Sequence, residues 1–374
     1  MNHAAEPAHD VGTSPDERRP CGREQSVDHL EGYFIVPAFA EPHAHLDKAF
    51  LAERIPNPTG DLLGAILAMN AARDSITVAD TVERAERAAR LLASNGCTAI
   101  RTHVDVTEGN GLTSVEALIE VRERLRDLVT IQIVALTGRP SLGDVGANVR
   151  ALLAEAIAMG VDLVGGAPHL EEDAHKANEQ MLAIAADAGL GLDLHTDETL
   201  DAGICGLADL ADRVLATGFP HSVTASHCVS LGVLPEARQR EVAERVAAAG
   251  IHVVALPQTN LFLQGRGVPS SVPRGLTAVR VLRDAGVHVA AGADNLQDPF
   301  NPVGRGDPLE TANLKITVGH LLPDDAMATV TTEARHVLGL PTEGDIDRVA
   351  LRAGSAREAI AFAPADRILL RAGS

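Results

Sequence analysis

His43 and His45, within Glu41-Pro-His-Ala-His-Leu-Asp47, stand two positions apart directly after the apolar run Phe34-Ile-Val-Pro-Ala-Phe39. Side chains at i and i+2 leave an extended strand on the same face, so two imidazoles at this spacing can reach one ion from a strand's end. Taken alone, the pair is equally well a solvated strand end or two hydrogen-bonded core side chains. Its meaning depends on four further groups: Arg101-Thr-His-Val-Asp105, Asp193-Leu-His-Thr-Asp-Glu198, Ser226-His227 and Gly292-Ala-Asp-Asn295. Each closes or follows a short apolar run. Three histidines and one carboxylate suit a divalent transition metal and leave a coordination position for water, as hydrolytic sites require. For any one residue the plainer role stands beside this: His195 or His227 as a satisfied core histidine, Asp294 as a helix cap. Convergence of all of them on one rim favours chemistry.

The elements that must bring them together are repeated βα units. From residue 33 onward, short apolar runs alternate with Ala/Leu/Glu/Arg stretches of helical period. Eight strands are expected, centred on residues 34–39, 98–104, 131–136, 162–165, 191–195, 222–227, 252–256 and 288–292. Helices are expected at 82–94, 114–128, 148–158, 174–188, 235–249 and 278–285, with helical patterns continuing after the eighth strand to about residue 340. Eight such units in succession predict an α/β fold, a closed (β/α)8 TIM-type barrel whose active site lies at the C-terminal ends of the strands. His43, His45, His103, His195, His227 and Asp294 all fall there. Residues 1–30 have the composition of a flexible tail, 31–340 form the barrel, and 341–374 supply two short strands, 348–352 and 367–371. These need a partner, and pairing with the segment before residue 34 would make a small β appendage from the two chain ends.

Composition sets the outer bounds. The chain has 374 residues, 45% hydrophobic and 22% charged, with only 2% aromatics, so Ala, Val, Leu and Ile must fill the core. A formal charge of −19 with dispersed arginines gives no basic patch for a nucleic acid. No apolar run is long enough to span a membrane and no secretory leader is legible, so a cytoplasmic protein is expected, with self-association into a homo-oligomer left open. Cys21, Cys97, Cys205 and Cys228 show no C-x-x-C spacing, so neither a disulfide framework nor a structural zinc cluster is indicated. Cys228, beside His227, reads as a buried spectator.

Seven segments in order carry a family resemblance: Val36-Pro-Ala-Phe-Ala-Glu-Pro-His-Ala-His-Leu-Asp47, Arg101-Thr-His-Val-Asp105, Ile131-Gln-Ile-Val-Ala135, His195-Thr-Asp-Glu198, Val223-Thr-Ala-Ser-His227, Asn260-Leu-Phe-Leu-Gln-Gly-Arg266 and Asp298-Pro-Phe300. Over roughly residues 34 to 371 the chain resembles cytosine deaminase-type members of the amidohydrolase superfamily. The resemblance implies a distorted (β/α)8 barrel with a small β-sandwich, here reduced because residues 1–30 do not read as strands. It implies a single Zn2+ or Fe2+ on His43, His45, His195 and Asp294, with Glu198, His227 and Asp294 as the catalytic groups. Binuclear relatives use a carboxylated lysine on strand four, and no lysine lies in 161–169, which favours one ion. The expected reaction is deamination of an amino-substituted N-heterocycle by metal-activated water, with Glu198 protonating a ring nitrogen.

The same resemblance argues against cytosine itself. Strict cytosine deaminases carry a glutamine where Gly138 aligns and a second aspartate where Asn295 stands. Gly for Gln removes a donor and an acceptor and opens space, and Asn for Asp exchanges an anion for a group that also donates. A creatinine-, pterin-, purine- or triazine-like compound is expected instead, contacted by Gly138, Asn295, Phe300, His103, His169 and Lys48. Hydrolysis of a cyclic amide or of an N-alkylamino heterocycle is the alternative within enzymes. A noncatalytic metal-dependent small-molecule binder is the alternative outside them, and it leaves the acid/base set Glu198, His227 and Asp294 without a purpose.

Overall fold

A computed structural model describes residues 30–373. The tail expected over residues 1–30 lies outside the described residues except for Leu30. In chain order the strands are β1 (Phe34–Pro37), β2 (Phe39–Ala44), β3 (Cys97–Val106), β4 (Thr130–Thr137), β5 (Leu163–Gly166), β6 (Gly191–Thr196), β7 (Val223–His227), β8 (His252–Ala255), β9 (Val289–Ala291), β10 (Arg348–Leu351) and β11 (Arg367–Leu370). The helices between and after them are α1 (Leu62–Ala72), α2 (Val78–Ser94), α3 (Thr113–Leu125), α4 (Ala147–Ala158), α5 (Ala174–Ala188), α6 (Gly206–Thr217), α7 (Glu236–Ala248), α8 (Pro257–Leu263), α9 (Val279–Asp284), α10 (Pro308–Thr317), α11 (Pro323–Val330), α12 (Thr332–Val337) and α13 (Ala356–Phe362).

Strands β2 to β9 pair in sequence order, all parallel, as a TIM-type (β/α)8 barrel. Strands covered on both faces read as continuous buried runs, which is how β3 appears. Its alternate residues divide the work: Ile100 and Val104 join the apolar core under the helices, while Arg101 reaches Gln132, Asp193 and Thr224 across the barrel interior. Side-chain caps from Thr77 and Asp173 start α2 and α5, and Gly189 in the left-handed region ends α5.

The β9–β2 seam closes by a different device from the ladders. Asp294, just past β9, makes a parallel bridge to Ala44, with its amide donating to the His43 carbonyl at 3.1 Å. The buried Glu41 carboxylate spans the same seam, accepting from His43 N at 3.1 Å and from Ala293 N at 3.0 Å. Three of the expected metal ligands, His43, His45 and Asp294, therefore sit at this seam, where Glu41 ties the two sides together.

Three expectations change. The first strand, expected as 34–39, divides: β1 pairs antiparallel with β10, and only β2 enters the barrel. Pro37 has no N–H to continue a ladder, and Ala38 turns the chain by donating to Asp347 O at 2.9 Å. Among the described residues the appendage is a three-stranded sheet, β1-β10-β11, and the N-terminal strand in it is 34–37. Helices α1, α6, α8 and α13 were not among those expected. Among the described residues, no helix is long and apolar enough to cross a membrane.

Candidate active site

The C-terminal rim surrounds a cavity of about 600 Å3. His45, His195, Glu198, His227, Asp294 and Asn295 line its floor, Lys48 and Asp105 one flank, and Gly138, Arg139, His169 and Phe300 further parts of its wall. Leu62, Ile66 and Met69 of α1 form an apolar face toward it. Leu63 and Leu67 of the same helix are exposed, so α1 is an apolar element laid beside the mouth rather than packed into the core.

Ligand-type atoms crowd the floor. His45 Nε2 lies 3.1 Å from His195 Nε2 and 3.3 Å from Asp294 Oδ1, and His43 Nε2 lies 3.6 Å from the same oxygen. Two nitrogens bound tetrahedrally to one zinc stand about 3.3 Å apart, so this spacing fits a shared ion. Among the described residues, His43 Nε2 and both Asp294 oxygens are buried without a hydrogen-bond partner, a costly arrangement unless a cation uses them. Burial is the main cause of every shift here: it pushes His43, His45 and His195 well below the usual imidazole value, keeping them neutral as ligands must be. Burial, then Glu198 and Asp298, hold Asp294 well above the carboxylate range.

The tautomer of His45 follows from its neighbours. His103 O, 3.1 Å from Nδ1, can only accept, so Nδ1 carries the proton and Nε2 keeps its lone pair toward the cluster. Lys48 Nζ, 3.2 Å from the same Nδ1, directs its own protons to Asp105 at 2.8 Å and toward Asp47 at 3.6 Å. Burial works against the lysine's charge, yet Asp105 and Asp47 outweigh it and hold Lys48 above its ordinary value.

Glu198 and His227 face this cluster from β6 and β7. Glu198 Oε1 is 3.6 Å from His227 Nδ1 and has no hydrogen-bond partner, and burial pushes its carboxyl up to about 8. His227 Nδ1 donates to Asn260 Oδ1 at 3.0 Å, leaving Nε2 as an acceptor 3.9 Å from Asp294 Oδ2. Burial lowers His227 to about 3, so it stays neutral. Both His227 and Asp294 occupy left-handed backbone, with φ of 69° and 65°, the kind of strain found where side chains must be aimed. The arrangement pairs a proton-carrying acid with a neutral acceptor across a metal-type cluster.

The expected substrate contacts fare unevenly. Gly138, Asn295, Phe300, His169 and Lys48 reach the cavity, but His103 does not. It is fully buried one layer below, stacked on His43 at 3.9 Å, because β3 runs to Val106 and carries Asp105 to the rim in its place. His43 and His103 with Asp193 also gather as a ligand-type trio. Arg101 already takes one Asp193 oxygen at 2.9 Å and Ser226 the other at 3.0 Å, so that carboxylate is spent. Asn295 lines the cavity with its polar ends committed, Oδ1 to Thr259 and Nδ2 to Asp298. Gly138 does not open a space: a Cβ there would stand 2.8 Å from Thr107 Cγ2 and 3.1 Å from Thr107 Cα. Glu41, Asn260, Ser226 and the α1 face carry site geometry that sequence reasoning missed.

Comparison with known proteins gives a consistent set. A family model described as "Amidohydrolase family" matches residues 52–348. Pterin deaminase of Rhizobium rhizogenes is 36% identical over 376 residues, covering 97% of this chain and 83% of that protein. The crystal structure of 5-methylcytosine deaminase from Klebsiella pneumoniae liganded with 5-fluorocytosine superposes with a TM-score of 0.84 at 30% identity, covering 93% of this chain and 88% of that one. N-isopropylammelide isopropylaminohydrolase from Burkholderia multivorans superposes at 0.76 with 33% identity, covering 91% and 86%.

Proposed function

This chain belongs to the amidohydrolase family, and from that premise we propose that its cavity deaminates a bicyclic amino-substituted N-heterocycle of the pterin type. It is a hydrolase of carbon–nitrogen bonds other than peptide bonds, a metal-dependent deaminase of N-heterocycles. The finer substrate assignment draws on the pterin deaminase relative, on a cavity of about 600 Å3, and on the apolar face of Leu62, Ile66 and Met69 against which a fused ring can lie. Free Cys97, Cys205 and Cys228 suit a reducing, cytoplasmic setting.

His43, His45, His195 and Asp294 would hold one Zn2+ or Fe2+. Such an ion, when bound, supplies Lewis acidity and water activated at neutral pH. The chain's own groups do the rest. His227 Nε2, kept as an acceptor by Asn260, orients the attacking water. Asp294 Oδ2, on the His227 side, takes a proton as water adds to the carbon bearing the amino group. Glu198, carrying its proton at neutral pH, gives it to the adjacent ring nitrogen. Asp294 then passes its proton to the departing amine, which leaves as ammonia. The hydroxyl proton of the adduct restores Glu198 as the oxo product forms.

The observation that carries this function is the buried Glu198 carboxyl beside His227 and above the His45/His195/Asp294 cluster, since protonating a ring nitrogen is what makes an aromatic amine leave. Incubating metal-loaded protein with pterin, cytosine, creatinine and aminotriazines and measuring ammonia tests it. Release of an alkylamine from N-isopropylammelide in preference to ammonia from pterin would replace it with the N-alkyl reading, which the same apolar α1 face can serve.

A further inference from the structure

The three clustered histidines differ in how the nitrogen turned away from Asp294 is held. His45 Nδ1 is fixed by a backbone carbonyl, and His195 Nδ1 has no hydrogen-bond partner. His43 Nδ1 is held instead by a side-chain hydroxyl, that of Ser226 at 2.9 Å. That hydroxyl lies 3.0 Å from Asp193 Oδ1, and Asp193 Oδ2 takes Arg101 Nη1 at 2.9 Å. Arg101 is itself anchored by Thr224 at 3.2 Å, Gln132 at 3.0 Å and the Val337 carbonyl at 3.0 Å. All four members are buried, with His43, Asp193 and Ser226 fully so.

The bond directions follow from the chemistry of each group. A carboxylate paired with a guanidinium only accepts, so Ser226 commits its proton to Asp193. Its oxygen lone pair then accepts from His43 Nδ1–H. An imidazole protonated at Nδ1 keeps its lone pair on Nε2, the atom 3.6 Å from Asp294 Oδ1 that has no other partner. We infer that Ser226, backed by Asp193 and Arg101, is a positioning residue that locks His43 in the tautomer a metal ligand needs. This rests on His43 being a ligand. Outer hydrogen bonds of this kind set ring orientation and basicity, and losing one typically lowers metal affinity about 10–100-fold.

The test uses the full chain and its Ser226→Ala variant, with Zn2+ affinity measured by competition against a chromophoric chelator. Imidazole 15N spectra of the metal-free proteins run alongside, with His43 assigned through His43→Asn. The expected result is a His43 protonated at Nδ1 in the parent, a mixed tautomer in Ser226→Ala, and affinity about 10–100-fold weaker in the variant. Affinity within about twofold of the parent, or a parent His43 protonated at Nε2, overturns the inference. Should Ser226→Ala fail to fold, the parent spectrum decides alone. A parent that takes up no Zn2+ refutes the metal reading instead, and the tautomer measurement still stands separately.

Discussion

Replacing Glu198 by Gln changes the proposed acid while leaving almost everything else in place. Burial pushes the Glu198 carboxyl up to about 8, so at pH 7 about nine-tenths of it carries a proton and the substitution leaves the local charge nearly unaltered. Size and hydrogen-bonding reach are also kept, and Oε1 has no hydrogen-bond partner to lose. What disappears is the transferable proton. Positioned proton transfer contributes about 10²–10⁴ in rate, or about 2.7–5.5 kcal/mol of barrier, so kcat should fall by that factor. Metal content and thermal stability should stay close to those of the parent. The pH profile adds a signature with a fixed sign. Activity needs the protonated carboxyl, so the contribution of Glu198 is fully present well below pH 8 and is lost as pH rises through it, to about one-tenth at pH 9. The variant's residual activity should lack this limb. The assay is ammonia release across a pH series, with metal analysis and melting curves on the same preparations. Parent-like kcat in Glu198→Gln would refute the proton relay, as would a loss of activity accompanied by loss of metal.

Metal affinity itself should rise with pH, because the three histidines are already neutral while Asp294, raised by burial and by Glu198, must shed a proton to bind; chelator competition at several pH values measures it, and a flat profile contradicts it. Burial pushes the Glu41 carboxyl up to about 8, so above that pH it accepts from both buried N–H groups at the β9–β2 seam; Glu41→Gln turns an amide NH2 on one of them, and urea unfolding at pH 9 should show a loss of about 1–3 kcal/mol. Gly138→Gln should not restore cytosine specificity: its Cβ meets Thr107 at 2.8 Å, and overpacking should cost about 1–3 kcal/mol in the same unfolding assay. Ile66→Ala with Met69→Ala should raise KM for pterin more than for cytosine, by roughly 10-fold, because the fused second ring is the part proposed to lie on the α1 face.

The barrel and its ligand cluster were legible because strand ends impose their own code. His43 and His45 share a face by the two-residue period, and His195, His227 and Asp294 follow short buried runs whose C-terminal ends meet at one rim. What escaped the sequence depends on depth and on contacts across the barrel. His103 read as a rim residue because β3 was expected to end at Val104; two further residues put Asp105 at the rim and His103 a layer below it. Ser226, Asp193 and Arg101 come from three different strands, and nothing in their spacing along the chain says that they touch. α1 escaped because it is apolar on all sides and has no amphipathic stripe, a pattern that belongs to a buried helix, whereas here it flanks a cavity. At Gly138 the absent side chain reflects the close approach of Thr107 rather than the added room expected of a glycine.

Ammonia released by metal-loaded protein from pterin, measured against the same protein stripped by a chelator and then reloaded, bears most directly on the central claim. Stoichiometric ammonia and oxo product from the loaded protein, loss on stripping and recovery on reloading are the expected results. A folded, metal-loaded protein that releases neither ammonia nor an alkylamine from any heterocycle in the panel would contradict the assignment of this site to metal-dependent deamination.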